Sequence, residues 1–255
     1  MKPRLEIKKR IVFLHGAWHG GWCWKDVAAQ IRDEHGFSTD TITLPGHNHN
    51  ENRSGIELTT YSKHIISVLK NELDPVILVG HSSAGLLIQE AAPKIREKIS
   101  CCIFINAFLL PDHSCQFDLM PPEATDAMRN AAEISPDNCI PVIEDFVRNM
   151  LMSGESEDMQ NYVINNMVPQ PIALFKSPIS TESFKITDIP RGYIYCKDDV
   201  SLPPGAYLSM LENVGMRKDE IIENEGGHES IITKPDVIVR SLIKFLESKL
   251  NPVWI

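Results

Sequence analysis

The chain has no long apolar run. Nothing in its 255 residues approaches the ~18 consecutive apolar residues that a membrane helix needs, so no membrane partner is expected. It is also short of positive charge. Lys and Arg number 25 against 34 Asp and Glu, giving a net charge of −9 and a pI near 5.5. Phosphate binding needs a basic surface, so nucleic acid is not an expected partner either. No internal repeat or low-complexity segment appears. Cysteine is sparse as well: Cys23, Cys101, Cys102, Cys115, Cys139 and Cys196 include no C-x-x-C pair. Three of them lie inside apolar strand-like runs, so reduced, mostly buried thiols are expected rather than disulfides or zinc. The opening "MKPRLEIKKR" is basic like a signal-peptide start, but the apolar run behind it, Ile11 to Leu14, is too short for a signal core. A cytoplasmic protein with a solvated N-terminal tail is expected.

Apolar residues make up 43% and charged residues 23%, the balance of a folded globular domain. The length suits one large α/β domain or two small ones. Short runs of Val, Ile and Leu with little polar alternation ("RIVFLHG", "TDTITLPG", "DPVILVGHS", "SCCIFINAF") read as strands covered on both faces. Helix-like pieces separate them at Trp24 to Glu34, Leu58 to Leu73 and Ala84 to Glu97. That order predicts a mostly parallel, doubly wound sheet flanked by helices. From Leu109 to about Lys185 no strand is expected and amphipathic helices take over. In "IEDFVRNMLM" the residues Ile143, Phe146, Val147, Met150 and Leu151 fall on one face of an α-helix. The strand pattern resumes in "RGYIYCKDD" and "DEIIENEGGH", and "KPDVIVRSLIKFLESKL" closes with a helix. The expected organisation is a core of residues 1–108 and 186–255, interrupted by a helical cap at 109–185 over the carboxyl edge of the sheet, where such folds bind ligands.

"VILVGHSSAG" carries the chemistry. A strand ends in Gly-x-Ser-x-Ala and a helix starts, which is the turn that presents a strained nucleophilic serine, here Ser82. Such a serine needs donors for the oxyanion of a tetrahedral intermediate. The Ser83 N–H supplies one. The Ala17 N–H, in the "HGAW" loop after the first strand, supplies the other. A base and an acid should follow in chain order. Asp198 or Asp199 follows one strand, and His228 follows the last. His15, His19, His47, His49, His64, His81 and His113 show no spacing for a metal site. His47 and His49 in "LPGHNHN" have no evident third ligand, so neither metal nor cofactor is expected.

Together, "HGAWHGGWCW", "LPGH", "VILVGHSSAG", "INAFLLPD", "MVPQP", "YCKDDVSLP" and "GGH" resemble the α/β-hydrolase superfamily over most of the chain. They resemble in particular the branch of plant methyl esterases, hydroxynitrile lyases and bacterial carboxylesterases. The resemblance implies a cap inserted after the family's sixth strand and a Ser82, Asp199, His228 triad. It aligns the acid on Asp199 rather than Asp198, with Asp112 as the place where other superfamily members carry it. The branch's lyases have a threonine at the position of Gly16 and a lysine at that of Glu229; a carboxylate there would repel cyanide, so lyase activity is disfavoured. Cofactor-independent oxygenases and slow-turnover receptors share the fold and remain alternatives.

The expected activity is hydrolysis of small to medium hydrophobic carboxylic esters through an acyl-enzyme on Ser82, by a monomer or homodimer. Gly16, Trp18, Phe108 and Met150 are the expected substrate-binding positions. Six of the nine methionines, Met120, Met128, Met150, Met152, Met159 and Met167, fall in the cap. They either line an adaptable pocket or fill the core beneath it.

Overall fold

The computed structural model describes residues 9–249; the expected N-terminal tail lies almost wholly outside them. Six parallel strands form the central sheet: β1 (Arg10–Leu14), β2 (Ser38–Ile42), β3 (Val76–His81), β4 (Ile99–Ile105), β7 (Arg191–Cys196) and β8 (Ile221–Asn224). Their order is β2-β1-β3-β4-β7-β8. Burial follows position. Every residue of β3 is buried and nearly every residue of β4, whereas the edge strands β2 and β8 are mostly half-buried. Strands covered on both faces have no solvent side to mark with polar residues, which is why the central ones read as unbroken apolar runs.

The chain leaves β1 in one direction, through α1 (Lys25–His35) to β2. It then returns past β1, through α2 (Leu58–Leu69), to β3. Right-handed crossovers in opposite directions put the two helices on opposite faces. Accordingly α1 packs against the closing helix Pro235–Lys249, and α2 packs against α3 (Ala84–Ala91). The strand order reverses between β1 and β3, so the loops leaving their carboxyl ends flank a crevice.

Between β4 and β7 the chain leaves the sheet. This stretch holds α4 (Pro122–Glu133), the helix Glu157–Asn166 and a short antiparallel pair, β5 (Cys139–Ile140) with β6 (Gln170–Pro171). The pair is the strand element that the sequence pattern missed; two residues are too few to show alternation. All six cysteines are free and buried. Among the described residues no helix is long and apolar enough to cross a membrane.

Candidate active site

Four loops meet at the crevice. The β3–α3 turn carries Ser82, whose φ of +54° lies in the left-handed region that side chains rarely adopt. Three backbone hydrogen bonds hold it there. The Ser82 N–H donates to the Ile105 carbonyl at 3.2 Å, and the Ser82 carbonyl accepts from Gly85 N–H at 3.1 Å and Phe108 N–H at 3.0 Å. A methyl group on Gly85 would sit 2.3 Å from the Phe108 carbonyl oxygen. Glycine is therefore required one position later than the pattern led one to expect, and Ala84 is tolerated where glycine is usual.

His228, in the loop after β8, bridges Ser82 and Asp199. Its Nδ1 lies 2.7 Å from Asp199 Oδ2 and its Nε2 lies 3.1 Å from Ser82 Oγ. A carboxylate only accepts, so Nδ1 carries the hydrogen and the Nε2 lone pair faces the hydroxyl. That arrangement can take a proton from Ser82. Asp199 is further held by the Ser201 N–H at 2.8 Å on Oδ1 and by Asn106 Nδ2 at 2.6 Å on Oδ2. Burial acts to raise the Asp199 carboxyl, but the His228 charge and the hydrogen bonds from His228 and Ser201 prevail and take it down to about 2. Burial acts to lower the His228 imidazole. The Asp199 charge and hydrogen bond, with Glu229 behind them, prevail again and hold it above the ordinary histidine value.

The two alternative acids are occupied elsewhere. Asp198 accepts from the Gly226 N–H at 2.7 Å, while the Asp198 N–H donates to the Gly226 carbonyl, tying the acid loop to the histidine loop. Asp112 accepts from the Thr181 N–H at 2.6 Å and from the Ser180 hydroxyl.

The histidines of "HGAWH" brace the loop after β1. His15 Nδ1–H donates to the Gly16 carbonyl at 2.8 Å while its Nε2 accepts from the Leu44 N–H at 3.0 Å. Burial first, then the neighbouring His47, holds His15 well below the ordinary histidine value, so the ring stays neutral and both bonds persist. His19 Nδ1–H donates to the Ala17 carbonyl at 2.8 Å. In a trans peptide the carbonyl and the following N–H point oppositely. Fixing the Gly16 carbonyl toward His15 therefore turns the Ala17 N–H the other way. Ala17 and Ser83 both line the pocket that contains Ser82. Gly16 has no wall of its own. It abuts Ser82 so closely that a methyl group there would stand 2.7 Å from Ser82 Cβ.

The pocket above Ser82 is walled by Trp18, Phe108, Met120, Phe146, Leu151 and Phe175. Trp18 joins the β1 loop to the excursion between β4 and β7. Its backbone N–H donates to Gln170 Oε1 at 3.1 Å, and its indole N–H reaches the Ile140 and Pro141 carbonyls, both at 3.2 Å. Gln170 is fully buried and also contacts His47 and Tyr61. It belongs to "MVPQP", but nothing local marks it as a brace, because its partners are more than a hundred residues away in sequence.

Met150, expected on the pocket wall, lines an adjoining groove with Tyr195, Val200 and Pro203 instead. The reason is local. Val147–Leu151 is a π-turn, in which the Met152 N–H reaches the Val147 carbonyl at 2.7 Å. An i→i+5 winding aligns residues five apart, so Phe146 and Leu151 share the pocket face and Met150 rotates off it. Met128, Met152 and Met167 are buried in the core. Of the six methionines between β4 and β7 only Met120 lines this pocket.

His81, His228 and Glu229 bring one ligand-type atom each within 4.8 Å of one another. They do not suit a metal ion, since both His228 nitrogens are engaged and His81 Nε2–H donates to the His228 carbonyl at 2.9 Å. His47 likewise turns its nitrogens to the Pro45 carbonyl and Gln170.

Residues 11–241 match the model of the alpha/beta hydrolase family. The chain belongs to that family. As an alpha/beta hydrolase it is similar to a carbendazim hydrolyzing esterase of Nocardioides sp. (strain SG-4G), at 27% identity over 91% of this chain and 97% of that one. It is 30% identical to putative methylesterase 12, chloroplastic, of Arabidopsis thaliana, over 95% of this chain and 73% of that protein. Among solved structures, an extracellular alpha/beta-hydrolase from a Paenibacillus species superposes with a TM-score of 0.86. It is 23% identical and covers 92% of this chain and 98% of its own, a likeness of fold.

Proposed function

We propose that this alpha/beta hydrolase is a serine carboxylesterase acting on small to medium hydrophobic esters. The observation that carries the reading is the chain of contacts from Ser82 Oγ through His228 to Asp199, set at the floor of an apolar pocket. Esterase and methylesterase relatives covering almost all of the chain support it. His228 Nε2 takes the Ser82 proton as Oγ bonds to the ester carbonyl carbon, and the Ala17 and Ser83 N–H groups hold the resulting oxyanion. The alcohol leaves with the proton from His228, forming an acyl-Ser82. Water then gives a proton to His228 and its oxygen to the acyl carbon, which releases the acid and restores Ser82. Asp199 stays ionised throughout and steadies the imidazolium. None of these steps calls for a cofactor or a metal.

Residues 109–185 act as the cap in this reading, because Phe146, Leu151 and Phe175 from that stretch close the pocket over Ser82. The test is hydrolysis of p-nitrophenyl esters, acetate through octanoate, by wild type and Ser82→Ala side by side. Fast wild-type turnover that the substitution abolishes is expected. Equal rates for the two proteins would overturn the reading, and oxygen uptake or ligand-induced stabilisation would then be tested.

A further inference from the structure

The residue after His228 has no task in that mechanism. Glu229 is 1% exposed and lines the pocket together with Ser82, Ser83 and His19. Among the described residues no hydrogen-bond donor satisfies either of its carboxylate oxygens. His19 Nε2 lies 3.4 Å from Oε2, too long for a good charge-assisted hydrogen bond. His19 spends its Nδ1 hydrogen on the Ala17 carbonyl, so in the neutral ring Nε2 is a second acceptor. Two acceptor groups therefore face the pocket side by side, each buried and each without a hydrogen from the surrounding protein. A carboxylate kept in such a place is costly unless a donor meets it there. The aromatic and aliphatic part of the wall offers none, and the polar lining groups Gln116, Ser83 and Ser201 make no hydrogen bond to it. A carboxylate oxygen of Glu229 also lies within 4.8 Å of a His228 ring nitrogen. Any donor it meets is therefore close to the reacting carbonyl.

We propose that Glu229, flanked by His19, is a subsite for an N–H group of the substrate. On this view the preferred esters carry a neutral amide or carbamate nitrogen next to, or one atom from, the scissile carbonyl. A site built around a hydrogen bond to a substrate N–H discriminates against the analogue that lacks it, because the buried acceptor is then stranded. This inference rests on the serine-esterase reading above.

The test uses two esters of nearly the same shape, p-nitrophenyl N-acetylglycinate and p-nitrophenyl 4-oxopentanoate, which differ by NH in place of CH2. For each, kcat/KM is divided by its rate constant for hydroxide hydrolysis, which removes intrinsic reactivity. Wild type, Glu229→Gln, Glu229→Leu and Ser82→Ala are compared at a pH on the plateau of each active protein. A normalised wild-type preference of at least about fivefold for the N–H ester is expected from a hydrogen bond to a charged acceptor. The Leu variant should lose that preference. A smaller wild-type preference, or one that survives in Glu229→Leu, overturns the subsite. Should the Leu variant not fold, as judged by its melting curve, the wild-type ratio and its reduction in Glu229→Gln decide the matter. If Ser82→Ala hydrolyses both esters as fast as wild type, the esterase reading fails instead, and the two failures are distinct.

Discussion

Asn106 and Asp199, ninety-three residues apart, are joined by a 2.6 Å hydrogen bond from Asn106 Nδ2 to Asp199 Oδ2, the same oxygen that His228 Nδ1 contacts. The other end of the Asn106 amide accepts the Cys196 N–H at 2.7 Å. Asn106 thus ties the acid to the end of β7 and aims the carboxylate at the histidine. On the proposed mechanism Asn106→Ala leaves Asp199 ionised but free to turn. The expected loss is about 10- to 100-fold in kcat, the worth of a hydrogen bond to a charged group, with KM little changed. Steady-state kinetics on a p-nitrophenyl ester check this. A kcat within about twofold of wild type would mean that Ser201 alone positions the acid.

His15 positions the β1 loop in the same indirect way. In His15→Phe the Gly16 carbonyl loses its donor and the Leu44 N–H its acceptor, so the peptide carrying the Ala17 N–H is no longer fixed. Removing an oxyanion donor outright costs about 10²–10³ in kcat; misaiming one should cost less, about tenfold or more. The comparison that isolates it is kcat against melting temperature. A fall in stability with unchanged kcat would assign His15 to the fold alone.

How much of this was legible follows from where the partners lie. The inner strands β1, β3, β4 and β7 could be read because burial on both faces leaves a near-continuous apolar signal. The half-buried edge strands β2 and β8 could be read from their place in the strand–helix order. Ser82 and His228 could be singled out because each sits at a strand end in a fixed chain order. That order left Asp198 and Asp199 open, and only the family resemblance pointed to Asp199. Asn106 also ends a strand, yet "INAF" contains no local feature that separates a bracing amide from a solvated one. Its partners are ninety residues on and appear only once β4 and β7 pair. Gln170 was hidden in the same way, with its partners more than a hundred residues off. Met150 was misplaced for a different reason. The amphipathic pattern of "IEDFVRNMLM" fits a 3.6-residue period, and the π-turn that breaks it leaves no mark in that pattern.

The pH dependence of kcat/KM should report His228, which acts as a base only when neutral. Its nitrogens face Asp199 and Ser82, Ser201 and Tyr207 stand near Nδ1, the His81 ring packs 4.7 Å away, and Glu229 adds negative charge. Because Asp199 and Glu229 outweigh burial, His228 holds its proton to a higher pH than a free histidine does. Activity should therefore fall on the acid side with a midpoint above the ordinary histidine value of about 6.5. Glu229→Gln removes one stabilising negative charge, so the midpoint should move to lower pH. A pH profile of both proteins checks the sign, and a midpoint moving upward would contradict it.

Gly16 tests how tightly the β1 loop is pressed on Ser82. In Gly16→Ala the added methyl meets Ser82 Cβ at 2.7 Å and Ser82 Oγ at 3.2 Å. One of the two backbones must give, and both carry proposed catalytic groups. Overpacking of this kind costs about 1–3 kcal/mol, a few degrees in melting temperature for a chain of this size. Because the displaced atoms are the reacting ones, kcat should fall by about 100-fold or more, beyond what that strain alone would give. Thermal melts and ester kinetics on one preparation separate the two effects. An active Gly16→Ala protein would mean that the loop yields without disturbing Ser82.

The π-turn leads to a prediction about chain length. Phe146 and Leu151 reach the pocket above Ser82, whereas Met150 faces the groove beside Tyr195. Truncating either wall residue opens space where the substrate lies. Phe146→Ala and Leu151→Ala should each move the preferred p-nitrophenyl ester toward a longer acyl group. Each added methylene that finds room is worth about 0.8 kcal/mol, roughly fourfold in kcat/KM. Met150→Ala should leave the profile as it is in wild type. An ordinary α-turn would bring Met150 to the pocket and carry Leu151 further round the helix. The relative size of the Met150 and Leu151 effects therefore reads the winding of this turn directly, and a larger shift from Met150→Ala would exclude it.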